Sequence, residues 1–177
     1  MIILENKITK ICILKTINSQ SIYNIIMSFV SKVTITTLNI CKIVSRIEAL
    51  LIHDGIDSRK KIPSTFISST DCPIGDYILR LLNFFNIEIS TLVIALIYLE
   101  RIRSCFALNS KNFHKCFLMA LSMATKMNED KIFKNSYYCV AGGVHLKEYN
   151  ILEKNFLEML DYSLFVTNSE YLKYINF

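Results

Sequence analysis

A chain of 177 residues that is 52% hydrophobic holds enough apolar material for one packed core, so its length fits one domain or one domain plus an arm. The formal charge of +5 is mild; it is compatible with a nucleic-acid or acidic partner but is what an ordinary solvated surface carries. The cysteines (Cys12, Cys41, Cys72, Cys105, Cys116, Cys139) form no CxxC pair and His53, His114 and His145 do not fall at zinc-ligand spacing, which excludes a zinc module and reads as reduced, packed thiols of an intracellular protein.

Taken in order, Met1–Ser21 has no firm period. Glu5, Lys7 and Lys10 come early and Lys15 cuts the run Ile11–Leu14, so it makes a poor secretory signal. Ser21–Val33 reads as helical, and Ile22–Ile35, broken by Lys32, is too short to span a bilayer. Residues 1–35 read as an N-terminal arm, with a short helix docking on the body as the alternative for Met1–Ser21. Thr36 or Thr37 can cap a helix to about His53, with Ile40, Ile43, Val44, Ile47, Leu50 and Leu51 on one stripe. Gly55 ends it, and the polar Asp54–Lys61 is a loop, so 36–61 forms a helix plus loop.

Pro63 to Pro73 reads as extended or irregular. Pro73 suits the first turn of a helix whose inward positions are Ile74, Tyr77, Ile78, Leu81, Leu82 and Phe85. Next comes Thr91–Phe106, TLVIALIYLERIRSCF, with its polar residues mostly at the margins. Such a run predicts a helix capped by Ser90 and surrounded by other helices, the buried axis around which the neighbouring one-stripe segments pack. Asn109 to Lys111 is a turn, because Asn and Ser bond to their own backbone. A helix then opens at Asn112, with Phe113, Phe117, Ala120, Leu121 and Ala124 on one face and Lys126 near its end. Ala120 and Ala124, four apart, allow close backbone approach. A short helix at about Asn135–Ala141 stops at Gly142-Gly143. The last long helix, about Leu146–Asp161, turns Tyr149, Leu152, Phe156, Met159 and Leu160 inward and leaves Glu153 at the stripe's edge. Ser169–Phe177 begins one more helix. With no strand alternation, the body is an all-α bundle of five helices from about 73 to 161.

No P-loop, GxGxxG, GxSxG or HExxH motif is present. His114 and Cys116 are two apart on one helix and do not face each other, which argues against a nucleophile–base pair. No catalytic residue, metal or cofactor is expected, and a binding module is favoured over an enzyme.

The blocks YILRLLNFFN (77–86), ALIYLERI (95–102), LNSKNFHKCFLMALSMATKMNED (108–130), NSYYCVAGGV (135–144) and EYNILEKNFLEMLDYSL (148–164) occur in an order and at a spacing that closely resembles the cyclin box of the P/U-type cyclins, the group related to the yeast phosphate-signalling cyclin. The match covers about Pro63–Phe177. The resemblance implies a five-helix cyclin box over 62–165, an additional N-terminal helix before it and the start of a C-terminal helix at 166–177. It implies a non-catalytic regulatory subunit that activates a cyclin-dependent protein kinase by docking against its regulatory helix. Lys126, in ATK, and Glu153, in LE, match the family's lysine and glutamate that hydrogen-bond kinase main-chain groups just before that helix. Phe117, Leu118, Met119, Ser122, Met123 and Leu157 are candidates for the apolar part of the interface. Other implied partners are kinase substrates or an inhibitor; no membrane is implied and nucleic acid is disfavoured. Residence is intracellular, in the nucleus or cytoplasm, and cell-cycle service is one role of the family. Glu100 stands where the family has Asp in YxDR, with Arg101 kept; this pair is expected in structural ion pairs, Glu100 with Arg80. The MRAIL-type substrate-docking sequence is absent from the first box helix. The alternative is a cyclin-like helical adaptor without kinase activation, nucleic acid being one thing it would scaffold.

Overall fold

In a computed structural model, the described residues are Ile47, 64–68, 70–103 and 107–175. All but the arm-side residues belong to one compact unit, Val44–Phe177, and only that unit is treated below. The expected arm and most of the 36–61 helix and loop lie outside the described residues. Ile47, on the expected inward stripe, is helical and fully buried.

The described elements are a 3-10 turn at Ser64–Phe66 and six helices: α1 Ile74–Phe85, α2 Ile89–Ile102, α3 Phe113–Asn128, α4 Asn135–Gly142, α5 Leu146–Met159 and α6 Asn168–Ile175. No strand occurs among them. The all-α fold expected from the periodicity is therefore present, with the five expected bundle helices within a few residues of their expected bounds.

Local chemistry explains the ends. Pro73, whose fixed φ suits a helix entry, precedes α1. Asn86 closes α1 in the left-handed region at φ 47°, which Asn tolerates better than most side chains, and donates its backbone N–H to the Leu82 carbonyl at 3.1 Å. Asn112 is buried and knits the turn before α3: its Oδ1 accepts the Asn109 N–H and its Nδ2 donates to the Ala107 carbonyl, both at 2.8 Å. Gly143 ends α4 at φ 70°, and the Val144 N–H reaches back to the Cys139 carbonyl at 3.1 Å.

Three expectations are corrected. Ser90 does not cap α2. Glu88 holds the cap position, and Ser90 lies inside the first turn with its hydroxyl on Glu88 Oε2. The helix start is instead held by Glu129, at the end of α3, which accepts the Glu88 N–H at 3.1 Å and the Thr91 hydroxyl. A carboxylate there also complements the positive end of the helix. Second, Glu100 pairs with Arg103 one turn along at 3.0 Å rather than with Arg80, whose guanidinium lies over the Tyr77 ring. Third, the axis of the bundle is α3, not the Thr91–Phe106 stretch. α3 packs against α1, α2, α4, α5 and the 3-10 turn, and every residue from Cys116 to Thr125 is buried. α2 is flanked by α3 and α6.

The physical reason for the third correction lies in the polar residues of α3. Ser122 donates to the Met119 carbonyl at 3.1 Å and Thr125 to the Leu121 carbonyl at 2.8 Å, so both hydroxyls are satisfied by their own helix. His114 donates from Nε2 to the Cys72 carbonyl at 2.8 Å. Residues that look like a wet face can therefore be buried. Burial also pushes the Cys116 thiol well above its ordinary pKa and raises that of Cys139, which leaves both as protonated packing groups.

Candidate functional site

Lys126, on the last turn of α3, and Glu153, in the middle of α5, come from segments 27 residues apart, yet Lys126 Nζ lies 2.5 Å from Glu153 Oε1. Their side chains are 21% and 19% exposed. They sit at the surface of the bundle, partly shielded and already engaged with each other.

A third residue completes the group. Asn135, the first residue of α4, accepts from Lys126 Nζ at 2.6 Å through Oδ1 and donates from Nδ2 to Glu153 Oε2 at 2.9 Å and to Asn150 Oδ1 at 3.0 Å. Beneath them the rings of Tyr138 and Tyr149 stack 13° from parallel with centroids 6.1 Å apart. The ammonium of Lys126 lies 5.4 and 5.5 Å from the two ring centroids, within cation–π range. Burial holds both phenols above their ordinary pKa, and the Glu153 carboxylate adds to this.

The bonding capacity of this group decides what it can do. An ammonium has three donors, and Lys126 uses two. A carboxylate offers about four acceptor sites, and Glu153 uses two. One donor and about two acceptor sites remain, side by side. That is the complement of an extended main chain, which presents C=O and N–H groups in turn. Bonds to charged groups are stronger than neutral ones.

The apolar candidates divide. Phe117 stacks on Phe113 at 5.4 Å, and Leu118 lies so close to Gly142 that a Cβ there would meet its methyls; both are core. Met119 and Ser122 are fully buried and Met123 nearly so. Leu157, one turn beyond Glu153 on α5, is half-buried and is the candidate that keeps surface. The residues that sequence reasoning missed are Asn135, Asn150, Tyr138 and Tyr149. Asn135 reads in sequence only as a helix start and Tyr149 only as an inward aromatic. The one available signal was their place inside the NSYYCVAGG and EYN blocks.

Among the described residues no three His, Cys, Asp or Glu side chains group as a metal site, and no helix is long and apolar enough to cross a membrane.

The cyclin family model matches residues 15–164. Curated relatives include cyclin-U4-3 of Arabidopsis thaliana, 30% identical over 125 residues covering 68% of this chain and 57% of that protein. Cyclin-P4-1 of Oryza sativa subsp. japonica is 35% identical over 104 residues, covering 57% of this chain and 49% of the relative. The PHO85 cyclin PHO80 of Saccharomyces cerevisiae is 35% identical over 94 residues, covering 51% and 32%. The alignments thus span between about a third and three fifths of these relatives' own lengths. With the helical order and the matched blocks, they place this chain in the cyclin family, as a P/U-type cyclin.

Proposed function

We propose that this chain is a regulatory subunit of a cyclin-dependent protein kinase, itself without catalytic activity, and that Lys126 and Glu153 grip main-chain groups of the kinase just before its regulatory helix. The observation that carries the reading is the paired, partly exposed Lys126 and Glu153, with one donor and about two acceptor sites unspent. The PHO85 cyclin among the relatives supports a kinase as the partner.

The chemistry is that of a scaffold. A protein kinase is active when its regulatory helix lies inward, so that its Glu reaches the Lys that holds the ATP phosphates. A rigid helical surface stabilises that pose through apolar contact and a few directional bonds. Leu157 contributes the apolar contact beside Glu153. Phe117, Leu118, Met119, Ser122 and Met123 act from below, as the close-packed floor that keeps α3 and α5 in register. Kinase substrates or an inhibitor are further partners of the assembled pair, and an intracellular setting, in nucleus or cytoplasm, goes with this role.

Affinity purification of the full chain from its native cell, followed by a protein kinase assay on the eluate, tests the reading. The expected result is a co-purifying kinase whose activity falls when the cyclin chain is removed. Recovery of DNA or RNA with no kinase would favour a helical adaptor instead.

A further inference from the structure

A cavity of about 310 Å3 lies away from the Lys126–Glu153 pair, walled by Ser68, Thr70, Tyr77, Arg80, His114, Lys115, the Gly142–Val144 turn and Glu148. It is at the small end of the range of ligand sites. His114 and Lys126 are twelve residues apart on one helix, so the two places are separated by about 18 Å along α3.

Its polar groups are unevenly spent. Among the described residues Glu148 is the one carboxylate on the wall, and it is held by Lys115 Nζ at 2.8 Å. Lys115 also donates to the Thr65 and Ile67 carbonyls at 3.2 and 2.5 Å, so its three donors are used. Arg80 has no carboxylate partner among the described residues; its guanidinium lies 5.0 Å from the Tyr77 ring centroid and its Nη2 beside Gly143. The Ser68 and Thr70 hydroxyl oxygens accept the N–H groups of Thr70 and Cys72 at 3.4 and 3.3 Å, which leaves both hydroxyl hydrogens available to donate. Tyr77 spends its hydroxyl on the Gly142 carbonyl at 3.3 Å. His114, almost fully buried, carries a proton on Nε2 because that atom faces the Cys72 carbonyl, and its Nδ1 has no partner.

We infer that this cavity is a phosphoryl-binding site, in which the Arg80 guanidinium and the Ser68 and Thr70 hydroxyls receive the anionic oxygens. Among the described residues the surplus on the wall is one cation without a carboxylate and two O–H donors, and a planar guanidinium fork matches phosphoryl oxygens. A neutral or cationic ligand would leave Arg80 uncompensated. The phosphoryl group can be carried by a peptide or arrive as the free ion. Because the site lies at the opposite end of α3 from the Lys126–Glu153 pair, it can fill while that pair is occupied, and it does not depend on the kinase reading.

Fluorescence polarisation with the full chain at about 0.15 M ionic strength tests this. The probes are a labelled phosphoserine peptide and its unphosphorylated twin, with inorganic phosphate as competitor. The phosphorylated peptide should bind at least about tenfold tighter than its twin and be displaced by phosphate. Arg80→Gln should remove that preference, Arg80→Lys should keep part of it, and the exposed-cation control Lys154→Gln should keep all of it. Arg80 is on the surface, so matched thermal denaturation curves will show that the variant folds. Tight phosphate binding with no gain from the peptide would assign the free ion as the ligand of the same site. Equal binding of both peptides together with no phosphate binding, or binding unchanged by Arg80→Gln, would overturn the site.

Discussion

Lys126 and Glu153 hold each other at 2.5 Å before any partner is present, with Asn135 bonded to both. The pair is preorganised: under the proposed function a partner's main chain would meet two charged groups already in place, which would lower the ordering cost of binding. The pair also ties the end of α3 to α4 and α5, so the proposed binding role must be separated from its role in the fold.

Replacing either residue by Ala should weaken kinase binding by about tenfold or more, since a charged hydrogen bond to a partner is worth about 1.5–3 kcal/mol. The loss in thermal stability should be smaller, about 1 kcal/mol, because both side chains keep a solvent-facing side. Calorimetric titration against the kinase, set beside melting curves, separates the two effects. Unchanged affinity in the double variant would reject the interface.

Asn135→Ala should act on the same property indirectly. Losing it removes one contact from each of Lys126 and Glu153 while leaving both charges. A double-mutant cycle with Glu153→Ala should give a coupling of about 0.5 kcal/mol or more in stability.

Gly142→Ala should destabilise the bundle by about 1–3 kcal/mol, because the new Cβ would clash with a Leu118 methyl. Leu118→Ala alone should also cost about 2–5 kcal/mol by opening a cavity. Together the two should cost clearly less than their sum, since each removes what the other clashes with or leaves empty. Urea denaturation of the four proteins reads this directly.

Arg101 joins α2 to the segment that leads into α6. It donates to the Ser163 and Phe165 carbonyls at 2.6 and 2.9 Å and pairs with Glu170 at 2.7 Å. Arg101→Lys cannot reproduce that fork, so it should cost about 1–2 kcal/mol and raise hydrogen exchange in 163–175 before it does so elsewhere.

Alkaline pH should unfold the protein cooperatively. Burial raises the phenols of Tyr77, Tyr138 and Tyr149 and holds Tyr98 at about 12, whereas an unfolded tyrosine ionises near 10. Between those values the folded state binds more protons than the unfolded one, so stability present below about pH 10 is lost as pH rises toward 12. Tyrosinate absorbance should therefore rise late and steeply, in step with loss of helical circular dichroism.

The sequence alone determined the helices, because helix formation is local: apolar residues repeat along one face, and Pro73, Gly143 and the Asn109–Asn112 turn mark boundaries that neighbouring residues enforce. It also singled out Lys126 and Glu153, through blocks shared with a family rather than through any period. Only the tertiary structure decided which helix is the axis. Ser122 and Thr125 look polar in a row of letters, but their hydroxyls close on their own backbone and let α3 be buried all round. It alone brought Asn135 to the pair, since partners distant in sequence are chosen by packing, and packing is a property of the whole bundle.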